Sequence, residues 1–175
     1  MKKYIVSALI TTAIFFGCKT KTDSDASKKL NITFEAKSNS KVSGTASFVE
    51  KNGKVTFVAN VSGLEPGVHA IHIHEKSDCS AADGSSAGGH WNPTFKKHGK
   101  WGVAEYHKGD IGNFTADEKG NGVITLTTDE WCIGCGDDTK DILGKGLIVH
   151  QGADDFTSQP AGDAGARVAC SAIIK

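Results

Sequence analysis

The stretch GVHAIHIHE, residues 67–75, alternates apolar and imidazole side chains with a period of two. Successive side chains of a β-strand point to opposite faces, so His72 and His74 share one face while His69, Ile71 and Ile73 share the other. The isoleucine face has to be core. The two imidazoles therefore turn away from the core together, which is how a strand offers two nitrogens to one metal ion. His69 falls on the core side, where a buried, hydrogen-bonded histidine is expected.

The same grammar extends in both directions. Ile32, Phe34 and Ala36 alternate with polar residues; Val55, Phe57, Ala59 and Val61 do so after Asn52-Gly53; Val123, Ile124 and Leu126 follow Gly120-Asn121-Gly122. Short alternating runs bounded by Asn-Gly and Gly-rich turns are strands and hairpins. No window sustains a helical apolar stripe, and 21 glycines with a single methionine point away from a helical bundle. The expectation is all-β: a sandwich or closed Greek-key barrel filling residues 30–175 as one domain. Residues 75–109, 129–144 and 151–165 do not alternate and read as long loops, which in a compact domain usually carry function. A hydrophobic content of 38% fits a globular chain and not a disordered one, and 20 basic against 20 acidic residues argue against a nucleic-acid binder, which needs a basic face.

Lys2 and Lys3 precede an apolar run over residues 4–16, broken by Ser7, Thr11 and Thr12. This is the pattern of an export signal, and the run is short for a membrane-spanning helix. It ends in Phe15-Phe16-Gly17-Cys18, which looks like a bacterial lipobox with Phe15 where leucine is commoner. Residues 1–17 are thus expected to be a signal peptide, and residues 18–29 a lipidated Cys18 with a solvated tether. The protein would be exported and held in the cell envelope or periplasm by a membrane lipid. The 11 residues 19–29 contain no apolar side chain larger than alanine and would span about 18 Å as a coil. With Cys18 set aside, Cys79, Cys132, Cys135 and Cys170 remain, and three pairings are open. Cys132-Ile-Gly-Cys135 reads as a local bridge in a Gly-rich loop. A redox dithiol would need a helix after it, and a four-cysteine zinc site would need a second close pair.

All seven histidines lie between residues 69 and 150. After His72 and His74 come His90, His98 and His107, then Asp110, and His150 closes the apolar run Leu147-Ile148-Val149. Three imidazoles and a carboxylate suit tetrahedral zinc, whereas an all-imidazole set suits copper. Six histidines and one aspartate make seven ligands. Two four-coordinate ions need one more, so one ligand must be shared.

At this point the chain resembles the copper/zinc superoxide dismutase family, and within it the secreted bacterial branch. The matching stretches are GVHAIHIHE (67–75), SAGGHWNP (86–93), KKHG (96–99), YHKGDIGN (106–113), GLIVHQGADD (146–155) and GDAGARVAC (162–170). The resemblance implies an eight-stranded Greek-key barrel and the conversion of superoxide to dioxygen and hydrogen peroxide by copper redox cycling, with a structural zinc. It implies copper on His72, His74, His90 and His150, and zinc on His90, His98, His107 and Asp110. His90 would bridge the two ions and carry a proton to the product. Asp154 would hydrogen-bond His72 and His98, Arg167 would dock the anion, and Cys79 would pair with Cys170. The chain departs from the family at Gly152, where many members place a lysine, and at Pro160-Ala161, which replaces a Lys-Thr pair. Both remove positive charge from the approach path, for which Lys96, Lys97 or Lys108 are substitutes. The longer loops leave a homodimer open. A copper chaperone or metal buffer of the same fold is the alternative, and retention of all four copper histidines and Arg167 favours the enzyme.

Overall fold

The computed structural model describes residues 27–175. The expected signal peptide, Cys18 and most of the tether lie outside the described residues. Nine strands follow: β1 (Lys28–Thr33), β2 (Glu35–Ala36), β3 (Ser43–Lys51), β4 (Lys54–Ser62), β5 (Gly67–His74), β6 (Gly112–Ala116), β7 (Gly122–Thr128), β8 (Lys145–His150) and β9 (Arg167–Ile173). Among the described residues the helical content is one 3-10 turn, Ser85–Ala87, so no helix there is long and apolar enough to cross a membrane.

All strand pairs are antiparallel, in the order β1-β3-β4-β7-β6-β5-β8-β9-β2. The two ends of that order are neighbours in the chain. β1 pairs with β3 and β2 with β9, so one run interrupted at Phe34 ties both free edges and closes the sheet into a barrel. The expected count of eight strands becomes nine through this break. Strand β1 also starts two residues inside the stretch that composition assigns to the tether. Lys28 and Lys29 pair with Glu50 and Val49, and Lys28 Nζ donates to Glu50 Oε2 at 3.2 Å and to the Ile133 carbonyl at 2.8 Å.

The barrel closes on the alternating apolar positions. Phe48 and Phe57 face each other across β3 and β4 with ring centroids 5.0 Å apart, and Trp131 packs on both at 6.3 Å. Ile71, Ile73, Leu147, Val149 and Ile173 complete this core, which places the isoleucine face of β5 inward as its alternation predicts. His69 is buried on that side, its ring nitrogens 3.1 Å from the His150 carbonyl and 2.8 Å from that of Glu65.

One disulfide ties a long loop to the barrel and a second closes a short turn within another loop. Cys79 joins Cys170 of β9 across a sequence separation of 91, and Cys132 joins Cys135 locally. In the chain-entropy account the first contributes about 4 kcal/mol by restricting the unfolded chain. Both belong to an oxidising compartment and hence to an exported protein.

Candidate metal centre

Backbone hydrogen bonds at the end of β5 build the site. Ile73 receives the Trp91 N–H at 2.8 Å and donates to the Gly109 carbonyl at 2.9 Å, and Gly109 N–H bonds Trp91 O at 3.0 Å. Two pieces of the 75–109 loop are thereby laid against the strand. Gly109 has to be glycine here, because a Cβ would sit 2.1 Å from the Ile73 carbonyl oxygen. The arrangement sets His90 against His74 as an isolated β-bridge and brings His107 and Asp110 behind it. β8, hydrogen-bonded to β5, delivers His150 at its end.

The seven residues form two sets. One nitrogen each from His72, His74, His90 and His150 lies within 4.8 Å of the others, and the same holds for His90, His98, His107 and an Asp110 oxygen. His90 belongs to both, so the shared ligand that the count of seven demands is present. All seven side chains are buried.

Each imidazole has one nitrogen occupied and one unpartnered. His72 Nε2 and His98 Nε2 are each 2.9 Å from an Asp154 oxygen; His74 Nδ1 is 3.0 Å from Gly88 O, His107 Nε2 3.0 Å from Lys96 O, and His150 Nδ1 3.4 Å from Gly165 O. His90 Nδ1 is 2.8 Å from Asp110 Oδ1. The opposite nitrogens (His72 Nδ1, His74 Nε2, His90 Nε2, His98 Nδ1, His107 Nδ1 and His150 Nε2) are buried without a partner. Nδ1 of His98 and of His107 approach Asp110 at 3.0 and 3.3 Å, but not in hydrogen-bond geometry. A buried unsatisfied polar atom costs about 1–3 kcal/mol. Six of them converging on two points fit two metal ions held by those nitrogens.

The electrostatics agree. Burial pulls His90 down to about 4 and holds His74 and His150 well below the ordinary histidine value, so these rings are neutral and ready to ligate. Burial also opposes charge on His98, but the carboxylates of Asp110 and Asp154 outweigh it and raise that ring to about 9. Asp110 and Asp154 are themselves disfavoured as anions by burial, yet their histidine partners hold both carboxyls far below the usual range.

Asp154 joins the two sets through one carboxylate, and Asn113 fixes its backbone with two hydrogen bonds of 2.8 Å. Outer contacts of this kind set the tautomer and orientation of metal ligands. Gly162, at φ +77°, presses on the pair: a Cβ there would stand 1.9 Å from Asp154 Oδ1.

Arg167 opens β9. Its guanidinium donates to Gly84 O and Gly88 O at 2.8 Å each, and Gly88 O also binds His74 Nδ1. One carbonyl therefore links the guanidinium to the all-histidine set. Of the lysines proposed to replace lost positive charge, Lys108 is tied to Glu130 in an ion pair, and Lys96 and Lys97 remain exposed. Asp83, which the sequence reading passed over, is exposed and interacts electrostatically with Arg167. Gly84, Gly88, Asn113 and Gly162 were missed as well. Asn113 closes a quoted motif and could have been found, whereas the two carbonyls carry no side-chain signal. A third group, Cys132, Cys135 and Asp141, has its sulfurs bonded to each other and its carboxylate occupied by the N–H groups of Gly134, Gly136 and Leu143.

Comparison with known proteins points the same way. "Superoxide dismutase [Cu-Zn] 2" of Aquifex aeolicus (strain VF5) is 39% identical over 137 residues, which is 75% of this chain and 79% of that protein. "Superoxide dismutase [Cu-Zn] 1" of the same organism is 37% identical over 135 residues, 74% of this chain and 79% of that protein. The crystal structure of the clock protein EA4 superposes with a TM-score of 0.72 at 31% identity, covering 82% of this chain and 92% of that one. The family profile described as copper/zinc superoxide dismutase (SODC) matches residues 42–173, and the chain belongs to that family.

Proposed function

We propose that this chain is an exported superoxide dismutase, with copper on His72, His74, His90 and His150 and zinc on His90, His98, His107 and Asp110. The observation that carries the reading is the convergence of six unpartnered ring nitrogens beside a guanidinium that shares the Gly88 carbonyl with His74. Bound copper supplies a one-electron couple, which zinc lacks, so that one superoxide can be oxidised to dioxygen and a second reduced to hydrogen peroxide.

The protein supplies the rest. Superoxide is a small anion recognisable by little except its charge, and Arg167, pinned by two carbonyls, offers it a fixed guanidinium. His90 turns Nδ1 toward Asp110 and keeps Nε2 buried without a partner. A proton taken at Nε2 is held against the pull of burial, so it passes readily to an anion docked on Arg167. Asp154 orients His72 and His98 together. The burial of every ligand keeps bulk water from competing for the site.

The leader pattern of residues 1–17 and the cysteine after it support lipid attachment at Cys18 of the mature chain, with residues 19–27 as a tether to the cell envelope. A metal buffer of the same fold is the competing reading. Loading the protein with both metals, measuring the stoichiometry and following superoxide decay separates the two. Two bound ions with decay faster than metal-free buffer is the expected result; two bound ions without acceleration leaves the buffer.

A further inference from the structure

Phe95 is 93% exposed, the most open large apolar side chain among the described residues, and its backbone is left-handed at φ +54°. A bulky residue rarely adopts that conformation, so the chain carries an unfavourable backbone and a wetted phenyl ring at the same point. The loop does not need the ring. Asn92 closes it, its side chain donating to Lys96 O at 2.8 Å and accepting from Lys96 N at 3.0 Å. Exposed Lys96, Lys97 and Lys100 surround Phe95 in sequence, and half-exposed Val103 lies on the adjoining turn. Lys100 also lies over the Phe156 ring at 5.8 Å, and Lys96 and Lys108 face Glu130. Glu105 is the one acid in residues 91–108.

We infer that this tip is a membrane-docking face, with Phe95 inserting among lipid tails while Lys97, Lys100 and Lys96 meet anionic headgroups. The inference rests on the reading that Cys18 is lipidated. Nine residues lie between Cys18 and Lys28, and the ten Cα-to-Cα steps that join them reach at most about 36 Å when extended. The anchor therefore keeps the domain within that distance of the bilayer, where even a weak docking face meets lipid at high effective concentration. Contacts link the start of β1 to the tip: Lys28 to the Ile133 carbonyl, the 130–133 segment to Lys108 through Glu130, and His107 Nε2 to the Lys96 carbonyl at 3.0 Å. An apolar wedge among cations is the chemistry that binds an anionic interface, and each lysine near such a surface is worth about fivefold in partitioning.

The test uses the full membrane-anchored chain, reconstituted into phosphatidylcholine vesicles with and without phosphatidylglycerol and carrying Phe95→Trp. Bromine on the acyl chains should quench fluorescence beyond the level of the parent's three tryptophans, and only when phosphatidylglycerol is present. Lys97→Glu with Lys100→Glu should abolish that quenching. Val123→Trp, which replaces a side chain 61% exposed on β7, should not be quenched in either vesicle. Equal quenching at both positions, or none at Phe95→Trp, overturns the docking face. If the protein leaves cells in soluble form, the lipid-anchor reading has failed. Flotation of that soluble protein with the same vesicles then decides the face: loss of flotation in Phe95→Ser supports it, and no flotation of the parent overturns it. A dimer in solution that Phe95→Ser dissociates also overturns it, in favour of a second copy.

Discussion

Replacing Asp154 probes both metal sets through one atom group. Its two oxygens each receive a histidine Nε2 at 2.9 Å, so Nδ1 of both His72 and His98 is the nitrogen left for a metal ion. Asp154→Ala removes both partners at once. Loss of an outer partner of this type typically lowers metal affinity about 10–100-fold, or about 1.4–2.7 kcal/mol per ion, and here both ions should lose it. Asp154→Asn is more informative. An amide offers one oxygen and one NH2, so one ring must accept at Nε2 and therefore carry its proton on Nδ1, the nitrogen needed for the metal. One site is spoiled and the other kept. Zinc competition against a chromogenic chelator and the visible band of bound copper read the two sites separately. The unfolding temperature of the metal-free form checks that the barrel is intact. Both ions retained at wild-type affinity in Asp154→Asn would refute the tautomer argument.

Zinc must displace the Nδ1 proton of His98, whose ring stands at about 9. Uptake at pH 7 should release about one proton, and apparent affinity should rise about tenfold per pH unit until pH nears 9, measured by calorimetry in buffers of differing ionisation heat. In the metal-free form the same raised value stabilises the fold fully below the ordinary histidine range, and this contribution fades as pH climbs through 9, which unfolding midpoints at pH 6 and 10 would show. Asp83→Asn removes a carboxylate facing Arg167 and should speed superoxide decay at low salt, with the gain vanishing at high salt; an unchanged rate sinks the electrostatic link. The double variant Cys79→Ser, Cys170→Ser should lose about 4 kcal/mol in denaturant unfolding. Gly162→Ala pushes a methyl into Asp154 and should weaken zinc binding at least as much as Asp154→Ala, by the same chelator titration.

The strand grammar was legible because alternation is a side-chain property. Ile71 and Ile73 went inward, and His72 and His74 met a metal set, as their parity requires. The break at Phe34 was not legible for the complementary reason. Ile32 and Phe34 are both buried and keep the period unbroken, while the backbone changes partner from β3 to β9 between them. Lys28 and Lys29 misled in the same way, since their side chains look like tether but their peptide groups pair with β3. The hold on Arg167 comes from Gly84 and Gly88 carbonyls, which any residue type possesses. Composition finds groups that differ between residues; it is blind to groups that every residue shares.

That division also explains why the centre sits where it does. The Phe48, Phe57 and Trp131 cluster and the isoleucines close the barrel without help from any of the six clustered histidines. Those histidines instead occupy the opposite face of β5, the end of β8 and the loops laid over them. Six unpartnered buried nitrogens at about 1–3 kcal/mol each would be a heavy burden for a domain whose whole stability is about 5–15 kcal/mol. The Cys79–Cys170 disulfide anchors the loop that follows β5 to β9, Asp154 orients the rings of His72 and His98, and Asp110 orients that of His90. Rings held in this way give up little freedom when they take an ion, and an ion satisfies nitrogens for which the fold supplies no other partner.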